Sequence, residues 1–137
     1  MILVDTSVLL AAANRDEREH EACAQLVQTH RGALLVSPLV AAEVCYMLAS
    51  RSGPEREAQF LDDFGRGVVI LARLSAGDTD RMAALVRQYA DLELGGTDAS
   101  VIALAERLRL REVATLDHRH FRTVRPAHCD TFELLPE

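Results

Sequence analysis

The chain contains no lysine: all 15 of its basic residues are arginines, set against 21 acids in 137 residues for a net charge of −6. That absence removes the phosphate-handling classes that place a lysine ammonium on the substrate, P-loop NTPases among them. Cys23, Cys45 and Cys129 are odd in number and lack CxxC spacing. They argue against a disulfide framework and are expected as buried, reduced thiols. No apolar run approaches the roughly 20 residues needed to cross a bilayer, so no membrane-spanning segment is expected. The opening Met1-Ile2-Leu3-Val4-Asp5 has no basic flank and puts an acid where a signal peptide would be apolar, so the expected location is cytoplasmic. Repeats and low-complexity tracts are missing as well. What remains is a composition of 49% hydrophobic and 26% charged residues, the balance of one globular domain over residues 1–137.

The acidic net charge argues against a nucleic-acid partner, but the arginines are grouped, at Arg51/Arg56, Arg107/Arg109/Arg111 and Arg119/Arg122/Arg125. Guanidinium forks suit phosphate, although solvated helix faces explain any single arginine equally well.

Hydrophobic patterning predicts strands at about 1–5, 33–36, 68–71, 113–116 and 131–134. Helices are predicted at about 7–13 behind Thr6 as cap, 16–29, from Ser37-Pro38 onward, 54–64, 78–89 and 98–108 behind Thr97 as cap. The alternation implies an α/β fold, a three-layer sandwich with a central, mainly parallel sheet of about five short strands flanked by helices. It leaves strand order open.

Within that frame four acids stand out. Asp5 and Asp117 each end an apolar strand, at the carboxyl edge where open α/β sheets bind ligands. Asp98 lies in a helix's first turn, and Glu43 interrupts the apolar face that carries Leu39, Val40, Val44 and Met47. Singly, each has an ordinary explanation, such as a turn residue or a dipole-complementing acid. Together, within about 4 Å of one another, each like-charge pair would cost about 4 kcal/mol at an effective dielectric of ~20. Such a cluster requires cations, and oxygen ligands without a His/Cys set select Mg²⁺ or Mn²⁺. Phosphodiester hydrolysis by a metal-activated water is the matching chemistry.

The segments Leu3-Val4-Asp5-Thr6-Ser7, Pro38-Leu39-Val40-Ala41-Ala42-Glu43-Val44, Gly96-Thr97-Asp98-Ala99-Ser100 and Ala114-Thr115-Leu116-Asp117 through His120-Phe121 resemble, in order and spacing, the successive motifs of PIN-domain nucleases. The likeness is greatest to the VapC toxins of toxin–antitoxin modules, and it covers almost the whole chain. It implies a metal-dependent endoribonuclease with Asp5, Glu43, Asp98 and Asp117 as its acidic site and Thr6 and Thr97 as supporting hydroxyls. It also implies a homodimer and a VapB-like antitoxin whose tail places an arginine among the carboxylates. In such proteins the fourth acid can act through water or from a neighbouring position, which here holds His120.

Three other readings compete. An acid ending the first strand also opens haloacid-dehalogenase-like phosphatases, but those need a second acid two residues on, where this chain has Ser7, and a lysine. His118 and His120 could form an acid/base pair for metal-free RNA cleavage, or be loop residues held down by Phe121. A PIN-like module without activity could dock RNA or protein, but a decayed member would be expected to have lost a carboxylate.

Overall fold

The computed structural model describes residues Met1–Glu137. Five strands of three residues each, β1 (Ile2–Val4), β2 (Leu34–Val36), β3 (Val69–Leu71), β4 (Glu112–Ala114) and β5 (Glu133–Leu135), form one sheet. All pairings are parallel, and the order is β3-β2-β1-β4-β5. β1 and β2 are buried on both faces, which is why Ile2-Leu3-Val4 and Leu34-Leu35-Val36 read as continuous apolar runs instead of alternating.

Seven helices flank the sheet: α1 (Thr6–Ala13), α2 (His20–Thr29), α3 (Pro38–Ser52), α4 (Pro54–Gly65), α5 (Ala76–Gln88), α6 (Gly96–Leu108) and α7 (His118–Thr123). The predicted sandwich is therefore present. The chain runs outward from β1 to β3 with α1–α4 and returns past β1 to β4 with α5 and α6. The most enclosed helix is α6, with every residue from Ala99 to Ala105 buried.

Several expected boundaries move. The helix expected from 16 starts at His20, because Asn14 Oδ1 accepts from the Asp16 N–H at 3.0 Å and holds that stretch in turns. The helix expected from 78 starts at Ala76, because Ser75 and Asp78 form a reciprocal capping box. Neither threonine caps its helix. Asp5 is the N-cap residue of α1 and Gly95 that of α6, so Thr6 and Thr97 lie inside their first turns. The fourth strand ends at Ala114, short of the expected 116. Asp117 ends no strand; it caps α7, accepting from the His120 N–H at 3.3 Å. A six-residue helix is too short for periodicity to reveal. The expected cysteine chemistry is partly met: all three thiols are free, but only Cys23 is fully buried.

Phe121 fixes α7 to the core. Its ring is fully buried and meets Phe132 edge-on at 6.2 Å between centroids. Phe121→Ala is expected to cost about 3–5 kcal/mol in urea unfolding, the usual loss for a buried ring. A cost below about 1 kcal/mol would show that α7 is not anchored through this residue.

Candidate metal centre

The sheet order places the site. Leaving β1, the chain runs one way to β2, whereas β4 lies on the other side, so the crevice at the carboxyl ends of β1 and β4 is the topological switch point. Val4 pairs with Ala114, which sets Asp5 opposite Thr115. The Thr115 hydroxyl donates to Asp5 Oδ2 at 2.9 Å and accepts from the Asp117 N–H at 2.9 Å. Ser7 Oγ reaches the same Asp5 oxygen at 3.4 Å and accepts from the Leu116 N–H. The hydroxyls that orient Asp5 are thus Thr115 and Ser7. Thr6 does not share this role through its side chain: its Oγ1 is buried without any partner. Which hydroxyl faces a first-strand acid depends on the register with β4, which a single strand does not show.

Glu43 and Asp98 arrive on α3 and α6. Ser37 caps α3 through the Val40 N–H, with Pro38 in the first turn, and shares a 2.7 Å hydrogen bond with Ser100, buried between the two helices. Ser100 also donates to the Thr97 carbonyl at 2.6 Å. This link fixes the start of α6 against α3. Across it Thr97 Oγ1 donates to Glu43 Oε2 at 3.2 Å. Glu43 is exposed at the rim, not within the apolar face.

The residue that sequence reasoning did not place in the cluster is His120. Its Nδ1 lies 2.7 Å from Asp98 Oδ2 and 3.0 Å from Asp117 Oδ2. Ligand atoms of Asp98, Asp117 and His120 all fall within 4.8 Å of one another. The cluster is therefore not the all-oxygen set expected. The three-residue step from Asp117 to His120, one turn of helix, was the available signal. His118 is exposed and stands outside the cluster, so the two histidines do not form a pair.

Asp5, Glu43, Asp98 and Asp117 line one cleft of about 490 Å³. Burial first, and then the charge of Asp98, raise the Asp5 pKa to about 6, against the hydrogen bond from Thr115. Burial likewise raises that of Asp98, although His120 opposes the shift. Burial lowers the basicity of His120, but its hydrogen bond to Asp98 and the charge of Asp117 outweigh it, and the net shift is upward. Of the grouped arginines, Arg51 lines the cleft. Arg107 is committed elsewhere, to Asp78 at 2.9 Å and the Arg73 carbonyl at 2.8 Å.

Acids gathered at a parallel-sheet switch point match a known architecture, for a model of the PIN domain matches residues 2–126. The chain belongs to the PIN-domain family. It is 36% identical over 135 residues to Ribonuclease VapC26 of Mycobacterium tuberculosis, covering 98% of this chain and all of that one. Solved PIN-fold structures agree at lower identity. VapC20 of M. tuberculosis, described as a Sarcin-Ricin loop cleaving toxin, superposes with a TM-score of 0.75 at 19% identity over 82% of this chain and 87% of its own. VapBC2 of Rickettsia felis, solved with a DNA fragment from its promoter, gives 0.70 at 19% over 99% and 100%. At such identity these likenesses show the PIN fold.

The raised Asp5 pKa has a thermodynamic consequence. Between its ordinary value of 3.8 and about 6 the folded chain keeps a proton that the unfolded chain has lost, so stability present at acid pH is lost as pH rises through that window. A shift of that size corresponds to about 3 kcal/mol. In EDTA, Asp5→Asn is expected to be more stable than the parent near neutral pH by up to that amount, with the gain vanishing towards about pH 4, as read by urea unfolding. An Asp5→Asn protein that lost stability near neutral pH would show that this carboxylate holds the fold together.

Proposed function

We propose that this chain is a divalent-metal-dependent endoribonuclease, the toxin of a toxin–antitoxin module. The observation that carries the reading is the convergence of Asp5, Asp98 and Asp117, with Glu43 at the rim, in the switch-point cleft of a PIN fold. The likeness to a ribonuclease across the whole chain supports it. So does a toxin–antitoxin complex from Klebsiella pneumoniae, in which a related fold superposes with a TM-score of 0.67 at 21% identity.

The residues fit a cation. Asp5 resists ionisation because it is buried beside the Asp98 charge with no cation among its neighbours, and Thr6, whose buried Oγ1 has no partner, lines the same cleft. Asp5, Glu43, Asp98 and Asp117 would hold Mg²⁺ or Mn²⁺. When bound, such an ion supplies Lewis acidity to water and to phosphoryl oxygens. The protein's own groups position the substrate. The start of α6 has no side-chain cap, so its N–H groups are free for a phosphate, and Arg51 offers a guanidinium at the rim. Thr115 and Ser7 fix the orientation of Asp5, and Thr97 that of Glu43. The intact acidic set gives no support to an inactive docking module.

Control and assembly follow the same electrostatics. An arginine on an antitoxin tail would pair with the carboxylates and exclude the metal, and a homodimer is the proposed assembly, read from its mass in solution. The cytoplasm is the proposed location; no helix is long and apolar enough to cross a membrane.

Purified protein is expected to cleave RNA with Mg²⁺ or Mn²⁺, to stop in EDTA or with its antitoxin, and to leave 5′-phosphate and 3′-hydroxyl ends, because water and not the 2′ hydroxyl is the nucleophile. Asp5→Asn, Glu43→Gln and Asp98→Asn should each lower cleavage about 10²-fold or more, as when a group acting on the transition state is removed, and Asp117→Asn less. Cyclic phosphate products, or full activity in EDTA, would contradict the proposal.

A further inference from the structure

We propose that His120 is itself a metal ligand, its Nδ1 forming with Asp98 and Asp117 a mixed nitrogen–oxygen site that favours Mn²⁺ over Mg²⁺. The inference rests on the metal-dependent reading above and names the ligand set and its preference.

The geometry is that of a site already assembled. Nδ1 faces Oδ2 of both carboxylates, at 2.7 and 3.0 Å, with the three ligand atoms inside a 4.8 Å span. An ion about 2.1 Å from each of these atoms would sit to one side of the line joining them and would displace the proton they share. The ring is held there by its surroundings. Its side chain is only 18% exposed, its backbone N–H is fixed by the Asp117 cap, and the next residue is the buried Phe121.

A second, independent feature points to a ligand in the same cleft. Thr6, 5% exposed, lines the cavity with Asp98 and Asp117, and its buried Oγ1 has no hydrogen-bond partner. A buried hydroxyl without a partner is uncommon and fits a water or substrate oxygen brought in with an ion. The preference follows from donor chemistry. Mg²⁺ takes oxygen ligands and keeps its waters, whereas Mn²⁺ accepts the same oxygens and begins the transition series whose ions bind imidazole nitrogen with rising affinity.

The test is pulsed electron paramagnetic resonance of Mn²⁺ bound to the full-length protein, without RNA, together with competition by Mg²⁺. The parent protein is expected to show nitrogen modulation from a directly bound imidazole. His120→Gln and His120→Asp should both lose that signal. Gln should reduce the Mn²⁺-over-Mg²⁺ preference about tenfold, the loss expected when metal-site support is removed, and Asp should keep Mg²⁺ binding through an added oxygen. Mn²⁺ bound to the parent without nitrogen modulation would overturn the proposal, reducing His120 to an ion-pair partner while leaving metal-dependent chemistry standing. Failure of the parent to bind Mn²⁺ at all would overturn both.

Discussion

The constraint on which the site depends is the crowding of like charge at a sheet edge where Asp5 and Asp98 are largely shielded from water. Asp5 is 5% exposed and Asp98 reaches the same cleft from the first turn of a buried helix. Two full negative charges at the 4.8 Å span of the Asp98 cluster would repel by about 3–4 kcal/mol at an effective dielectric of ~20. The fold accommodates this by holding protons on Asp5 and by setting an imidazole between Asp98 and Asp117. Both devices are substitutes for a cation. The same groups that destabilise the metal-free chain are thereby preorganised to receive one.

Maintaining this tension requires rigid support, and the remaining polar interactions provide it away from the chemistry. Ser37 and Ser100 fasten α3 to α6 at the level of the site. Further along, Arg107 pairs with the 3%-exposed Asp78, which also closes the capping box of α5. Arg81 grips both oxygens of Glu106, and Glu106 in turn accepts from the Ala127 N–H, tying the segment after α7 to α6. Arg81 and Arg107 are thus structural, committed to acids of the scaffold and not to the cleft.

Much of this was legible in the sequence because it is carried by local pattern. The apolar runs of β1 and β2, the Ser37-Pro38 start of α3 and the first-turn position of Asp98 follow from periodicity and capping chemistry. Pairing information was not legible. That Thr115 and Ser7, not Thr6, reach Asp5 depends on which strand neighbours β1 and in what register. Thr97 was assigned as a cap because threonine caps well, whereas its hydroxyl is turned to Glu43, a residue 54 positions away, and the helix starts two residues earlier than expected, at Gly96 behind Gly95. His120 lay hidden for a related reason: α7 has six residues, too few to show a face, so a loop histidine and a histidine one helical turn after Asp117 looked alike.

The account is tested most directly by calorimetry of Mn²⁺ binding in two buffers of different ionisation heat. If burial and the neighbouring charge keep a proton on Asp5, the ion must displace it along with the proton His120 shares with Asp98, so near pH 6 the apparent enthalpy should depend on the buffer and show proton release, and the Asp5 share of that dependence should fade by about pH 8. Binding near pH 6 with the same enthalpy in both buffers would mean that the acids are already fully ionised, and that the cluster is an ordinary solvated surface instead of a strained cation site.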